Sequence, residues 1–491
     1  MPFFNSLLGA TPLHHQPEQA SPMSYSFKAV VRRPTRVAIA YCLVGLAGCA
    51  TLPNAARELH APHSEHIDFS DAHGSVTAAK STAVLASLKD DHDSAAALQQ
   101  HLVNEQAINV SSPLVLGNKV VLLQDGPATY QAMFTAIRAA TDHINVESYI
   151  IDDDEIGKQF SALLLAKQAA GIQVNLIYDS VGCLNTPKSF FDHLTTAGIQ
   201  VLAFNPINPL NKHYRLWRLN NRDHRKLVVV DGRIAFVGGI NISKDYSSNP
   251  LSRHKRKNPS KTAGWRDIDV QIEGPVVAEF QKLFLDTWAK QTGPALKQLN
   301  YFPSLNPQGE EIVRAIGSAP DHAQSPIYLT LMSALSHAQH EVHLTIAYFA
   351  PDSQLLKAIT DAARRGVDVK LVVPSYSDSI IMFNLGRSYY SKLFAAGVKI
   401  YQRRGAVMHS KTACIDGVWS TVGSTNLDWR SFLHNDEINA VILGNHFAAQ
   451  MDAMFVEDLS ESDVIDEARW RHRSVWSHLK ERLARLGAYW F

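Results

Sequence analysis

The chain has 491 residues, a formal net charge of +1, and 46% apolar against 19% charged residues. That length exceeds one simple core and points to two domains or one large repeated unit, while the composition is ordinary for a soluble globular protein. A charge so near zero excludes an overall polyanion binder, so any anion binding must be local. The four cysteines, Cys42, Cys49, Cys183 and Cys414, show neither a disulfide framework nor metal-ligand spacing. No cofactor and no metal are expected.

At the N-terminus, Arg32, Arg33 and Arg36 precede the apolar stretch VAIAYCLVGLAGC, residues 37–49. A basic region, a short apolar run and small residues at its end describe a secretory signal, too short to span a bilayer comfortably. Residues 1–22 do not fit such a signal; a start at Met23 would give one of normal length. Leu46-Ala47-Gly48-Cys49 resembles a bacterial lipoprotein lipobox. That resemblance implies cleavage before Cys49 and a diacylglycerol on its thiol, so a protein tethered to a membrane of the cell envelope and facing the periplasm. Ala50 stands where an inner-membrane retention signal would carry Asp, which leaves inner and outer membrane both open.

Residues 50–105 are polar, rich in Ala, His, Ser and Asp, and read as a tether with one short helix. After them strands and helices alternate. KVVLLQ (119–124) reads as a strand, 127–141 as a helix, HINVESYII (143–151) as a strand, 155–171 as a helix and IQVNLIYD (172–179) as a strand. The second half repeats the pattern with HEVHLTIAYFA (340–350), a helix over 353–366 and VDVKLVVP (367–374). This predicts an α/β fold, a mixed and mostly parallel sheet flanked by helices. Tyr149 matches Tyr348 and Gly198 matches Gly397, both at an offset of 199, whereas His224 matches His409 at 185. The 14 extra residues of the first half fall in NPINPLNKHYRLWRLNNR. A fixed offset broken by one countable insertion indicates duplication. The expected domains are 106–295 and 296–465, packed about a pseudo-twofold axis, followed by a basic amphipathic helix over 466–491.

The sharpest repeat is H-x-K-x4-D-x6-G-[GS]-x-N. Its first copy uses His224, Lys226, Asp231, Gly238, Gly239 and Asn241; its second uses His409, Lys411, Asp416, Gly423, Ser424 and Asn426. In a strand, residues two apart share a face, so each His and Lys project together. Asp231-Gly232 and Asp416-Gly417 are hairpin signals, and the returning strand brings the Gly and Asn back near the His. A lone His-x-Lys would be a solvated strand face, and a lone Asp-Gly a simple turn. Recurrence of every position at identical spacing argues against that for the set.

These motifs make the chain similar to the phospholipase D superfamily, which carries two such HKD motifs, over residues 106–465. Within it the stretches NVESYIIDDDEIG, IYDSVG, WRDIDVQIEGP and NDEINAVI most resemble bacterial cardiolipin synthases. The resemblance implies phosphoryl transfer between alcohols through a covalent phosphohistidine, at one site between the halves. It makes His224 the nucleophile and His409 the general acid/base, with Lys226, Lys411, Asp231 and Asp416 completing the catalytic set. Two lysines and two asparagines converging on a phosphodiester would supply preorganised donors, so Asn241, Asn426, Gly239 and Ser424 are candidates for phosphate binding. Each histidine needs an orienting carboxylate on its other nitrogen. Aligning NDEINAVILG with WRDIDVQIEG pairs His224 with Asp267 and His409 with Glu437. Asp231 and Asp416 would hold the hairpin and the lysine region, and Glu147 is a candidate pocket residue.

Both insertions of the first half are basic. One carries Lys212, Arg215, Arg218 and Arg222 with Tyr214 and Trp217; the other carries Arg253, Lys255, Arg256, Lys257 and Lys261. The C-terminal stretch sets Val475, Leu479, Leu483 and Leu486 on one helical stripe, with Arg471, Arg473, Lys480, Arg482 and Arg485 largely elsewhere. Tyr489, Trp490 and Phe491 follow. Basic plus aromatic suits a helix lying on anionic lipid, although a helix packed on the body with a solvated basic face fits too. The expected substrate is an anionic phospholipid, and the favoured reaction turns two phosphatidylglycerols into cardiolipin and glycerol. Hydrolysis by the same site, a nucleic-acid phosphodiesterase and a non-catalytic lipid-binding scaffold are the alternatives. No nucleic-acid partner is expected, and the oligomeric state is open.

Overall fold

The computed structural model describes residues 51–62, 64, 66–88, 92–208, 218–247, 264–322 and 324–488. The signal region with Cys49, the residues Lys212, Tyr214, Arg215 and Trp217, the second basic insertion, and Tyr489–Phe491 lie outside them.

The first half contains β1 (Leu114–Gln124), β2 (His143–Ser148), β3 (Gln173–Asp179), β4 (Gln200–Phe204), β5 (Lys226–Val230), β6 (Ile234–Gly238) and β7 (Ile268–Glu273). Their order across the sheet is β4-β3-β2-β5-β6-β7-β1, parallel among β4, β3 and β2 and antiparallel thereafter. The second half contains β8 (Glu311–Ser318), β9 (Glu341–Ile346), β10 (Asp368–Pro374), β11 (Lys399–Arg403), β12 (Lys411–Ile415), β13 (Trp419–Gly423) and β14 (Asn435–Leu443). Its order, β11-β10-β9-β12-β13-β14-β8, is the same. The duplication read from the sequence is therefore a duplication of topology. The halves join edge to edge where β1 pairs antiparallel with β8, equivalent strands meeting each other. Antiparallel pairing of equivalent strands is what a twofold relation requires.

Helices cover both faces, as the right-handed crossovers of parallel strands demand. Each half has its own apolar cluster, and a further cluster mixes Val229, Val237 and Val270 with Val422, Ala440 and Ile442. The strands read as continuous apolar runs because both of their faces are buried. Both Asp-Gly turns are as expected. Asp231 and Gly232 have φ of 54° and 63°, and Asp416 and Gly417 have φ of 51° and 60°, the pair of positive values a type I′ hairpin needs.

The reading of 50–105 as a tether needs correction. A short helix spans Ala55–Leu59, a strand at Phe69–Asp71 pairs with β1, and helices span Ala78–Ser87 and α1 (His92–Ile108). Leu102, Val103 and Ile108 of α1 join the core of the second half. Glu105, fully buried, forms an ion pair with Arg314 of β8 at 2.9 Å and accepts from the Trp419 indole at 3.0 Å. The segment read as a tether because the inward face of α1 mixes His101, Asn104 and Glu105 with Leu102, Val103 and Ile108, and its partners lie far along the chain.

Candidate active site

His224 and His409 each stand just before a central strand, β5 and β12, where the chain enters the sheet. Both line one cavity of about 300 Å³ together with residues from each half: Tyr149, Arg222, Asn241 and Trp265 from the first, Tyr348, Asp378, Asn426 and Arg430 from the second. Of each motif, the His and the Asn line it.

The orienting carboxylates are the predicted residues, with their partners exchanged. His224 Nδ1 lies 3.0 Å from Glu437 Oε2, and His409 Nδ1 lies 2.6 Å from Asp267 Oδ2. The cause is the seam between the halves. Asn435-Asp436, at the start of β14, pairs in parallel with Arg222-Asp223, and His224 N–H donates to the Asp436 carbonyl at 2.9 Å. In mirror fashion Trp265-Arg266 pairs with Val407-Met408, and His409 N–H donates to the Arg266 carbonyl at 2.8 Å. These two-residue strands cross the seam, so each carboxylate strand serves the other half's histidine. With Nδ1 engaged, Nε2 is the nitrogen left to each histidine for chemistry.

Gly239 and Ser424 serve these carboxylates and do not line the cavity. A Cβ on Gly239 would stand 2.2 Å from Asp267 Oδ1, so only glycine admits that carboxyl group. At the matching position the Ser424 hydroxyl donates to Glu437, which also accepts from Asn435 Nδ2 at 3.1 Å. Asn241 and Asn426 do line the cavity. Asn241 is fixed by donating to Tyr246 Oη at 2.8 Å and by accepting from Ile150 N–H at 3.2 Å, while the buried Asn426 Oδ1 has no hydrogen-bond partner.

Asp231 and Asp416 are placed away from the chemistry, at the far end of β5 and β12. Asp231 accepts the backbone N–H groups of Thr141, Asp142 and His143 at 2.8, 2.8 and 3.0 Å. Asp416 accepts those of Gln339, His340 and Glu341 at 2.8, 2.8 and 3.0 Å. Each Asp lies seven positions beyond its His, roughly 20 Å along an extended chain. They fasten the hairpin to the loop entering β2 and β9 and hold no part of the lysine region. Glu147 does not line the cavity either: it is fully buried, 3.5 Å from the Arg225 guanidinium.

Burial dominates the electrostatics. It draws His224 down to about 4, against the pull of Glu437, and holds His409 well below its ordinary value with help from Lys411 and Lys226. Burial thus works against a charge on either imidazole. Lys226 falls to about 7 through burial and then repulsion by Lys411; Lys411 falls to about 8 through burial, partly opposed by Asp267. Lys226 Nζ donates to the His224 carbonyl at 2.6 Å, and Lys411 Nζ to that of His409. An anion in the cavity counters each of these shifts, since it favours every positive charge nearby. Both lysines gain charge on anion binding, so affinity is greatest where they are already protonated and falls as pH rises through 7 and 8. Sulfate, which does not titrate in this range, is expected to bind about 10- to 100-fold more weakly at pH 9 than at pH 6.5, read by isothermal calorimetry.

Sequence reasoning missed the aromatic and acidic walls. Tyr149 packs edge-on against His224 at 5.0 Å and Trp265 lies 4.7 Å from His409. Tyr348 donates its hydroxyl to Asp378 at 2.7 Å. The repeated Tyr149 and Tyr348, noted only as register markers, were the available signal; Asp378 had none. Away from the cavity, Glu341, His343 and Asp452 bring ligand-type atoms within 4.8 Å of one another. The sequence showed no such group. Lys370 Nζ, 3.1 Å from His343 Nε2, already supplies a cation there.

A duplicated α/β sheet presenting two H-x-K histidines to one cavity defines a phospholipase D-like protein. The family described as cardiolipin synthase, PLD-like domain, matches residues 133–251 and 331–459. A cardiolipin synthase of Halalkalibacterium halodurans is 34% identical over 379 residues, 77% of this chain and 73% of that one. Cardiolipin synthase A of Pseudomonas putida is 35% identical over 379 residues, 76% and 75% of the two chains. The crystal structure of a phosphatidylserine synthase from Haemophilus influenzae shares the fold, with a TM-score of 0.54 at 12% identity over 75% of this chain and 92% of that one. The chain belongs to the cardiolipin synthase family, and with it to the phosphatidyltransferases of the phospholipase D superfamily.

Proposed function

We propose that this protein joins two phosphatidylglycerols into cardiolipin and glycerol through a phosphatidyl-histidine formed at a single site shared by the two halves. The observation that carries the reading is the pair of carboxylate-oriented histidines on one cavity. His224 Nε2 attacks phosphorus and the bond to the headgroup glycerol breaks, with His409, an imidazolium beside the anionic substrate, giving its Nε2 proton to the departing oxygen. His409 then takes the proton of a second phosphatidylglycerol's hydroxyl. That oxygen attacks phosphorus, the P–N bond breaks, and His224 is restored. Lys226, Lys411, Asn241 and Asn426 stabilise the charge gathered on the phosphoryl oxygens.

The protein works at a membrane, attached through a lipid on Cys49 after removal of the signal and facing the periplasm. The reading rests on the apolar 37–49 stretch and its lipobox-like end. Among the described residues no helix is long and apolar enough to cross a membrane. The test is a product assay on phosphatidylglycerol vesicles without added metal, with lipids resolved by mass. Wild type is expected to release cardiolipin and glycerol in equal amounts. His224→Ala and His409→Ala should each fall at least about 10⁴-fold. Phosphatidic acid as the sole product would replace the transferase reading with a hydrolase.

A further inference from the structure

The helix α2 (Val475–Leu486) is mounted with its apolar face outward. At about 100° per residue, Val475, Trp476, Leu479, Leu483 and Leu486 fall within one arc about 100° wide. All five are exposed, from 43% to 83%. On the opposite side Glu481 is 3% exposed. Its carboxylate accepts from Arg473 Nη2 at 2.8 Å and lies 3.7 Å from Arg387. Trp470 packs against both guanidinium groups, at 4.1 and 4.6 Å. Arg485 donates to the Ser388 carbonyl at 2.6 Å and covers the Tyr389 ring at 5.0 Å. The helix is therefore held by its charged side, the reverse of an ordinary surface helix. Folding gains nothing from five large apolar side chains left in water, and a contiguous exposed patch of this kind marks a contact surface.

The charges indicate what covers it. Lys480 and Arg482 flank the apolar arc on its two sides, and Glu481, the helix's single acid, is withdrawn into the body. An apolar strip with basic margins matches the boundary between acyl chains and anionic headgroups. The site lies close by. Ile380 and Ile381, 75% and 45% exposed, open the helix Ile380–Arg387, and Asp378, two residues earlier, lines the cavity. The far end of that helix, about 12 Å away, is Arg387, the partner of Glu481. We infer that α2, with Ile380 and Ile381, inserts into the surface of an anionic lipid layer and sets the cavity against the headgroups. The purpose of docking rests on the lipid-substrate reading; the docking itself is measured apart from it.

The test uses the full chain, which has a second means of membrane attachment, so the readout must be local. An environment-sensitive fluorophore is placed on Trp476→Cys and mixed with vesicles of phosphatidylcholine alone or with half phosphatidylglycerol. The expected result is a blue shift and quenching by brominated acyl chains, several-fold larger on the anionic vesicles. Leu479→Glu/Leu483→Glu should raise the apparent KM for phosphatidylglycerol in vesicles at least fivefold. It should leave kcat/KM on a monomeric short-chain phosphatidylglycerol within twofold. A fluorophore indifferent to both vesicles overturns the inference, whether or not lipid is turned over. Quenching without turnover of either substrate upholds docking and defeats the catalytic reading instead. A wild-type dimer in solution that the double variant splits, with the fluorophore shielded before vesicles are added, would give the face to a second copy and overturn the inference.

Discussion

Glu437→Gln is expected to slow formation of the phosphatidyl-enzyme at His224 by about 10³- to 10⁴-fold, the scale on which an orienting carboxylate acts in a histidine-assisted nucleophilic site. Asp267→Asn should slow the same step less, by about 10²-fold, through the proton that His409 gives to the leaving oxygen, and should slow the second transfer in the same way. The reason is tautomeric. A carboxylate 3.0 Å from His224 Nδ1 holds the proton there and leaves Nε2 with its lone pair. An amide can turn its NH2 to the same nitrogen and reverse the tautomer. Glu437 is itself held ionised: burial pushes it up, and His224, Ser424 and Lys226 together bring it below the usual carboxylate range. Turnovers quenched with detergent at alkaline pH, which spares the P–N bond, followed by intact mass and peptide mapping, read both questions at once. The labelled peptide identifies the nucleophile, and the burst amplitude in each variant identifies its carboxylate. With the label on the His224 peptide, a normal burst in Glu437→Gln and none in Asp267→Asn would restore the pairing within each half and refute the crossed one.

That crossing marks where linear reading stopped. Strand period alone placed His224 beside Lys226 and His409 beside Lys411, because residues two apart share a face whatever the rest of the chain does. The Asp-Gly turns were legible for a similarly local reason: positive φ at both central positions selects those residue types. The broken offset of 199 made the duplication visible, and the matching strand orders follow from it. What failed depends on contacts between the halves. Two-residue strands at the seam exchange the carboxylates, and neither 265–266 nor 435–436 carries a local sign of its partner. Asp231 and Asp416 belong to the same motifs as His224 and His409 but sit at the other end of the strand, so membership of a motif did not translate into membership of the cavity.

Arg314→Met is expected to cost about 3–5 kcal/mol of stability, the penalty for stranding a buried charge. Arg314 and Glu105 are both nearly inaccessible, and their pairing at 2.9 Å fastens α1 to β8. The mutation leaves the Glu105 carboxylate with Trp419 at 3.0 Å and His101 at 3.2 Å, neither a full counter-charge. Adding Glu105→Gln should recover more than half of the loss, since removing both charges also removes the need to compensate them. Urea unfolding of the two variants measures this, and hydrogen exchange locates it: protection should fall first across 92–108. If 50–105 were a loose tether, Arg314→Met would cost under about 1 kcal/mol and exchange there would already be fast in wild type.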